Sequence, residues 1–444
     1  MELISRRSAV SQPPFVQAPE ENYIQNAVDD PLRPGALGMG QSTASLMVNI
    51  FLIISYATPM AAGLLADGYL WRYRIIMLSL SLALGGCGKV KQRMKVTRTG
   101  ERVIVDPDTT VQYVFDIYYW CMNIGAQSRI AATFIEKDIG FWASYLMSLC
   151  AISTGFLIFF LGLSSDPQGS ILSPTFKALW IAIRYGFRME AARPDIVQER
   201  DSQTVDWSDE FIDQLKRTLF ACRALTPFII YWLCQSQMTT NLISQAAQME
   251  THGVPNDILP IINSLTVIIT LPIASHFLYP FLRRRGISTS PLRRIALGFL
   301  LEAFGMAYAA GVQGWIYSVG PCYSRPRACP ESPEGSLPNH VHVGIQTPVY
   351  FLEGLSEIFT SPAGYEYAFT GAPKSMKSII QAVYGLTAAG GSSIALALTP
   401  TNKDPSLLSM YAGIAGAMFL AAVAVVLFSW KHNARDGSTG GSSA

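Results

Sequence analysis

The chain has 444 residues, half of them hydrophobic and only 14% charged, against roughly 25% charged in a soluble domain. That balance excludes an ordinary soluble globular protein and identifies a polytopic membrane protein, with the lipid bilayer as its solvent. A net charge of +2 gives no ground for a nucleic-acid partner. The five histidines are scattered without metal-ligand spacing. No phosphate-binding glycine loop or nucleophile elbow occurs. The chain therefore reads as a non-enzyme without cofactor or metal.

Residues 1–42 form a polar N-terminal tail without the apolar core of a signal peptide. The first crossing is predicted over Thr43–Leu65, with Pro59 inside it. The loop after it, GLLADGYLWRYR at 63–74, sets Asp67 beside Arg72 and Arg74. An aspartate that pairs with arginine in only one conformation biases which way a cavity opens. These three residues are the gating candidates, although ordinary positive-inside placement also accounts for the two arginines.

Ile75–Cys87 is apolar but spans only about 20 Å as a helix, short of a hydrocarbon core of about 30 Å. Basic residues flank it on both sides, Arg72 and Arg74 before it, Lys89 and Lys91 after it. Both flanks belong in the cytoplasm by the positive-inside rule, so one short helix cannot leave and return. Part of a span and its successor are expected to be missing here.

Tyr113–Phe134 and Phe141–Gly162 read as the next crossings, turning at Glu136–Gly140. Residues 43–163 thus form an incomplete N-terminal helix bundle. Residues 164–217 are a polar, basic cytoplasmic linker, with an amphipathic helix predicted at Ser173–Arg188. Residues 218–431 carry six crossings, and 432–444 a disordered tail. The six are Leu219–Gln245, Leu259–Leu282, Pro291–Tyr317, Gly344–Phe369, Lys377–Leu398 and Leu408–Trp430.

Pro227, Pro272, Pro348 and Pro362 are predicted kinks. The small residues of Gly385–Ser393 suit close helix approach. Alternating the sides puts Arg283–Arg285, Arg293, Arg294 and Lys377 in the cytoplasm. The loops at 249–257 and 318–342 then share the opposite side. Cys322 and Cys329, both in the second of these loops, either pair or stay as two thiols.

Glu353 and Glu357 lie one helical turn apart within the apolar run Val343–Phe369, hence on one face. An ionisable group at the centre of a membrane helix costs about 2.5–3.5 kcal/mol, and such residues normally face a bundle interior or a watery path. A place near a helix end, or a bond to a neighbouring helix, is the plainer reading.

Several stretches together resemble the proton-dependent oligopeptide transporters, most closely their fungal branch within the major facilitator superfamily. They are NYIQN at 22–26, ADGYLWRYR at 66–74, GERVIVDP at 100–107, FDIYYWCMNIGA at 115–126, YWLCQSQMTTNLISQA at 231–246, THGVPND at 251–257, SEIFTSPAGYEYAF at 356–369 and APKSMKS at 372–378. The resemblance implies an all-α major facilitator fold with a truncated N-terminal half and an intact six-helix C-terminal half. It implies proton-coupled symport of di- and tripeptides, with short peptides and protons as partners, across what is expected to be the plasma membrane.

It further implies that Glu357 binds the peptide amino group, that Asn123 bonds peptide backbone, and that Tyr56, Trp232 and Asn263 line the pocket. Some positions depart from the pattern. The first span with its proton-coupling motif has no counterpart, Glu20 and Glu21 notwithstanding. Trp71 stands for a glycine in the loop motif, Asp116 for a Tyr or Thr, Ser236 for an acidic residue on the seventh span, and Ser275 and His276 where an acid is frequent. The alternative is a transport-inactive relative that acts, if at all, by binding within the membrane.

Overall fold

The computed structural model describes residues 45–56, 93–96, 102–105, most of 107–153, 172–202, most of 204–332, and most of 337–439. The loop carrying Asp67, Arg72 and Arg74, the short run Ile75–Cys87 and the N-terminal tail lie outside the described residues. α1 is Ser45–Tyr56. Two short strands, β1 (Arg93–Val96) and β2 (Arg102–Val105), pair antiparallel. α2 (Pro107–Ala126) follows, and α3 (Ser128–Asp138) continues it after a break at Gln127. The crossing predicted at Tyr113–Phe134 is therefore two helices. Gly140, at φ +122°, makes the turn expected at its end, a conformation a side chain would strain.

The linker holds three helices, α4 (Leu172–Arg184), α5 (Pro194–Asp201) and α6 (Asp209–Cys222). α4 is the predicted amphipathic helix. α6 starts where Ser208 accepts from the Phe211 backbone N–H, with Asp209 and Glu210 in its first turn, both favourable to an N-terminus. Arg193 bonds Asp209 at 3.0 Å and Asp213 at 2.9 Å, which ties the start of α5 to α6. Lys216 and Arg193 beside Glu190 hold its carboxyl below the usual carboxylate range.

The predicted span Leu219–Gln245 is in fact broken. The end of α6 gives way to a single turn, then to α7 (Phe228–Met238) and α8 (Asn241–Ala247). Pro227 sits at the start of α7 rather than kinking it. Pro348 likewise occupies the first turn of α12, where its missing N–H costs nothing. Of the four predicted kinks, Pro272 and Pro362 lie inside helices. Pro272 near the end of α9 (Ile261–Ile273) is followed by a wide π turn, Ala274–Leu278, before α10 (Tyr279–Arg284). Removing an amide donor loosens the helix at that point.

α11 (Pro291–Ser318), α12 (Thr347–Thr370), α13 (Lys377–Ala397) and α14 (Leu407–Thr439) complete the bundle. α12 starts at Thr347, because β4 (Asn339–His342) and a short 3₁₀ turn take up the residues before it. α14 runs on to Thr439, into the tail expected to be disordered from 432.

α11 is the hub, packed along α12 and α14; α7 lies on α13, and α9 on α12. α2, from the N-terminal half, docks against α9 and α12. α9 and α12 are therefore the helices on which the two halves meet. The loops predicted to share one side do meet, since β3 (Met249–Glu250) pairs with β4. Cys322 and Cys329 close a disulfide there, which decides between the two states left open by the sequence.

Candidate functional site

Glu357 lies where α2, α9 and α12 converge, half-buried. The Tyr119 hydroxyl on α2 donates to its Oε1, so one carboxylate oxygen is held from the opposite half of the molecule. The other oxygen, Oε2, is enclosed and has no hydrogen-bond partner. Asn263 on α9 lies within electrostatic reach of Glu357, yet its Nδ2 makes no hydrogen bond of acceptable geometry. The indole N–H of Trp232 on α7 is also enclosed and unpartnered. One orphaned acceptor and two orphaned donors thus belong to three of the predicted site residues. Buried polar groups are normally satisfied, and exceptions call for a reason.

Tyr56 joins this group, its ring centroid 6.0 Å from that of Trp232. Tyr384 on α13 stands 6.3 Å from Trp232 and 5.0 Å from Tyr365 on α12, ring to ring. Tyr118 meets Tyr365 edge-on at 6.1 Å. The result is an aromatic wall around one acidic group. Such walls contribute apolar area and, through the ring faces, attraction for a cation.

Asn123 is buried one turn beyond Tyr119, and its side-chain amide donates to the Tyr119 carbonyl of its own helix at 3.1 Å. The structure therefore gathers Tyr56, Trp232, Asn263 and Glu357, and sets Asn123 beside them on α2 with its donor spent locally. Tyr118, Tyr119 and Trp120 all turn inward, Trp120 donating to the Ile268 carbonyl at 2.9 Å.

Three more acidic side chains lie inside: Glu353, singled out in the sequence together with Glu357, Asp116, noted there as a departure from the family pattern, and Glu302, which was not singled out. Glu353, one turn before Glu357, and Glu302 on α11 are both fully enclosed. The signal for Glu302 was available: a lone acid in the apolar run LGFLLEAFGM at 297–306. Asp116 bonds the Ser275 hydroxyl at 2.7 Å. Both were positions that depart from the family pattern, and they face each other, the acid on α2 and the hydroxyl beside α9. Ser236 bonds its own helix at the Leu233 carbonyl, 2.7 Å, whereas Gln235 reaches Glu302 at 3.4 Å. Among the described residues no cluster of metal-ligating side chains occurs.

The exterior is apolar, as at Phe304, Leu420 and Trp430, while charged and amide side chains sit inside. A helical bundle with that inside-out polarity and an acidic, aromatic-walled focus between its halves has the build of an integral membrane transporter. The chain belongs to the POT family, whose sequence model, PTR2, matches residues 50–425.

It is 37% identical over 470 aligned residues to the "Peptide transporter PTR_C" of Candidozyma auris, covering 94% of this chain and 80% of that one. It is 33% identical over 469 residues to the "Peptide transporter PTR2" of Saccharomyces cerevisiae, covering 94% and 76%. The solved structure of the POT family transporter PepTSo superposes with a TM-score of 0.62 at 18% identity, covering 88% of this chain and 90% of that one. A POT family transporter in complex with a thioalcohol-conjugated peptide matches with a TM-score of 0.56 at 16% identity. These similarities agree with the major facilitator fold.

Proposed function

We propose that this chain carries di- and tripeptides across the plasma membrane in symport with protons, and that Glu357 receives the peptide's amino group. The observation that carries the reading is the orphaned set: Glu357 Oε2, Asn263 Nδ2 and the Trp232 indole N–H, beside the Tyr56, Tyr365 and Tyr384 rings. A peptide ammonium supplies the donor that Oε2 lacks, and a peptide carbonyl supplies an acceptor for the amide or indole. A charge-assisted bond of this kind is shorter and stronger than a neutral one. The rings tolerate varied side chains because they contribute area without directional demands. Tyr119 holds Glu357 in place from α2. The two halves cannot separate on that face without losing the bond, and that loss links binding to movement.

Proton movement fits the same residue, since a carboxyl in a low-dielectric site can exchange an ammonium partner for a proton. Each charge carried inward gains about 2.3 kcal/mol per 100 mV of membrane potential. The names of the relatives, peptide transporters, support the substrate class. By this reading Asp67, Arg72 and Arg74 form the gating clamp, and Asn123 takes part once its local bond is exchanged for peptide.

The test is uptake of a labelled dipeptide by cells lacking their own peptide carriers, with surface expression verified. Uptake is expected to rise at acidic pH and to be lost in Glu357→Gln, and an N-acetylated dipeptide is expected not to compete. No uptake from surface-localised protein overturns the proposal. The alternative, a membrane protein that binds without transporting, is favoured by the short Ile75–Cys87 run between basic flanks. Transcripts that restore a full span there would remove its basis.

A further inference from the structure

Glu302 and Glu353 form a second acidic focus, deeper than Glu357, and the binding geometry makes no use of it. Glu302 projects from α11 and Glu353 from α12, two helices that pack along one another. Gly305, one turn after Glu302, lies in this contact: a Cβ placed there would stand at van der Waals distance, 3.9 Å from Glu353 Cγ and 3.6 Å from Leu352 Cβ. Both carboxyl groups have no exposed surface. Neither oxygen of Glu353 has a hydrogen-bond partner, and Glu302 Oε1 has none either. The one direct contact is from Gln235 Nε2 to Glu302 Oε2 at 3.4 Å. The Ser356 hydroxyl, fully buried, lies near Glu302 and is itself unbonded.

The groups that face this pair set its charge. Glu302 is faced by Tyr231, Cys234 and Gln235 of α7 and by Ser356 and Glu357 of α12. Glu353 is faced by Glu302 of α11, Cys234 of α7, Tyr411 of α14 and Glu357 on its own helix. Among the described residues no lysine, arginine or histidine reaches either. Two ionised carboxylates here would each carry a desolvation penalty of several kcal/mol and repel one another. Structural roles for buried carboxyls normally come with a cation or with several hydrogen bonds. This pair has neither, and the remaining ligand that satisfies a lone buried carboxylate is a proton.

We propose that Glu302 and Glu353 are a proton-carrying site of this transporter, loaded in the closed arrangement of α11 and α12 and emptied when that contact opens to water. The proposal rests on the transport reading above and adds to it the place where the coupled proton is held. On release an O–H bond of the Glu353 or Glu302 carboxyl breaks, the proton passes to water or to the Glu357 carboxylate one turn along α12, and the carboxylate left behind is hydrated. On loading the same proton transfer runs in reverse. The pair also supplies an acid beside α7, whose own polar run, Gln235–Gln237, has none.

Two measurements on the full chain in liposomes test it. Dipeptide accumulation driven by an imposed proton gradient is expected to be lost in Glu302→Gln and Glu353→Gln. Dipeptide exchange without a gradient is expected to persist, because glutamine mimics the protonated acid in size and charge. Infrared absorption, read without substrate, is expected to show a protonated carboxyl C=O band in wild type that the double variant E302Q/E353Q lacks. Gradient-driven accumulation that survives in the double variant overturns the proposal. So does an infrared spectrum in which wild type and double variant carry the same carboxylic-acid band. Absence of wild-type exchange would instead defeat the transport reading, while the infrared comparison would still decide whether the pair holds protons.

Discussion

Arg294 on α11 and Glu366 on α12 form an ion pair in which the side chains are only 4% and 7% exposed. Arg294 Nε also bonds the Thr289 carbonyl at 3.2 Å, and its guanidinium lies 5.4 Å from the Tyr279 ring centroid. Desolvating two charges consumes most of what their attraction returns, so the pair matters chiefly when it is broken. Arg294→Met is expected to destabilise the protein by about 3–5 kcal/mol, because Glu366 is left buried without its cation. The double replacement R294M/E366M is expected to recover most of that loss. Thermal unfolding in detergent by intrinsic fluorescence would check both, and equal losses in single and double variants would refute the argument.

At the scale of elements, the α7–α13 contact depends on one glycine. A Cβ at Gly391 would meet the Ile229 carbonyl at 2.7 Å, the Leu233 amide nitrogen at 2.8 Å and Trp232 Cβ at 2.6 Å. Two of these atoms are backbone and cannot swing aside, so the helices themselves must part. Gly385, two turns earlier on the same helix, has open space where its Cβ would stand. Gly391→Ala is expected to cost about 1–3 kcal/mol by overpacking and, by moving Trp232, to weaken dipeptide binding. Gly385→Ala is expected to be neutral or slightly stabilising, since alanine favours helix over glycine by about 1 kcal/mol. Equal melting temperatures for the two variants would refute the close-approach argument.

On the scale of the whole molecule, a chain of buried amides closes one end of the bundle. Gln346 donates to Gln245 at 2.9 Å, Gln245 to Gln313 at 2.9 Å, Gln313 to Gln248 at 2.7 Å, and Gln248 to Asp404 at 3.0 Å. Beyond it, β3 and β4 join two loops, and His340 Nδ1 stands 2.8 Å from Glu250 Oε1. That contact holds the Glu250 carboxyl below the usual carboxylate range.

A depressed carboxyl value means that the folded state gains stability once pH exceeds the ordinary unfolded value. That gain is lost as pH falls through the lower folded value. Glu250→Gln is therefore expected to lower the melting temperature at neutral pH, with the gap to wild type closing on acidification. A gap that widens toward acid pH would contradict the assignment. The group is partly exposed, so the effect is expected to be small and to fade with salt.

Much of this molecule was legible without coordinates. Apolar runs of span length, basic loops on one side and acids inside apolar helices are consequences of the bilayer as solvent, which acts residue by residue. Hence the apolar helices within Ile261–Arg284, Pro291–Ser318, Ile379–Ala397 and Leu407–Trp430, and the meeting of the 249–257 and 318–342 loops, could be read directly. Partnership could not. That Tyr119 turns inward to Glu357, that Glu302 and Glu353 stand within electrostatic reach of each other, that Asp116 finds Ser275 and that Cys322 bonds Cys329 all depend on how separate helices and loops are brought together. Helix ends were decided the same way. Pro227 and Pro348 became helix starts, and the seventh span broke into pieces, because neighbouring helices and caps can satisfy freed backbone groups only at particular places. Hydropathy is a property of each residue against its solvent. Recognition belongs to groups far apart in the chain, and only packing sets them face to face.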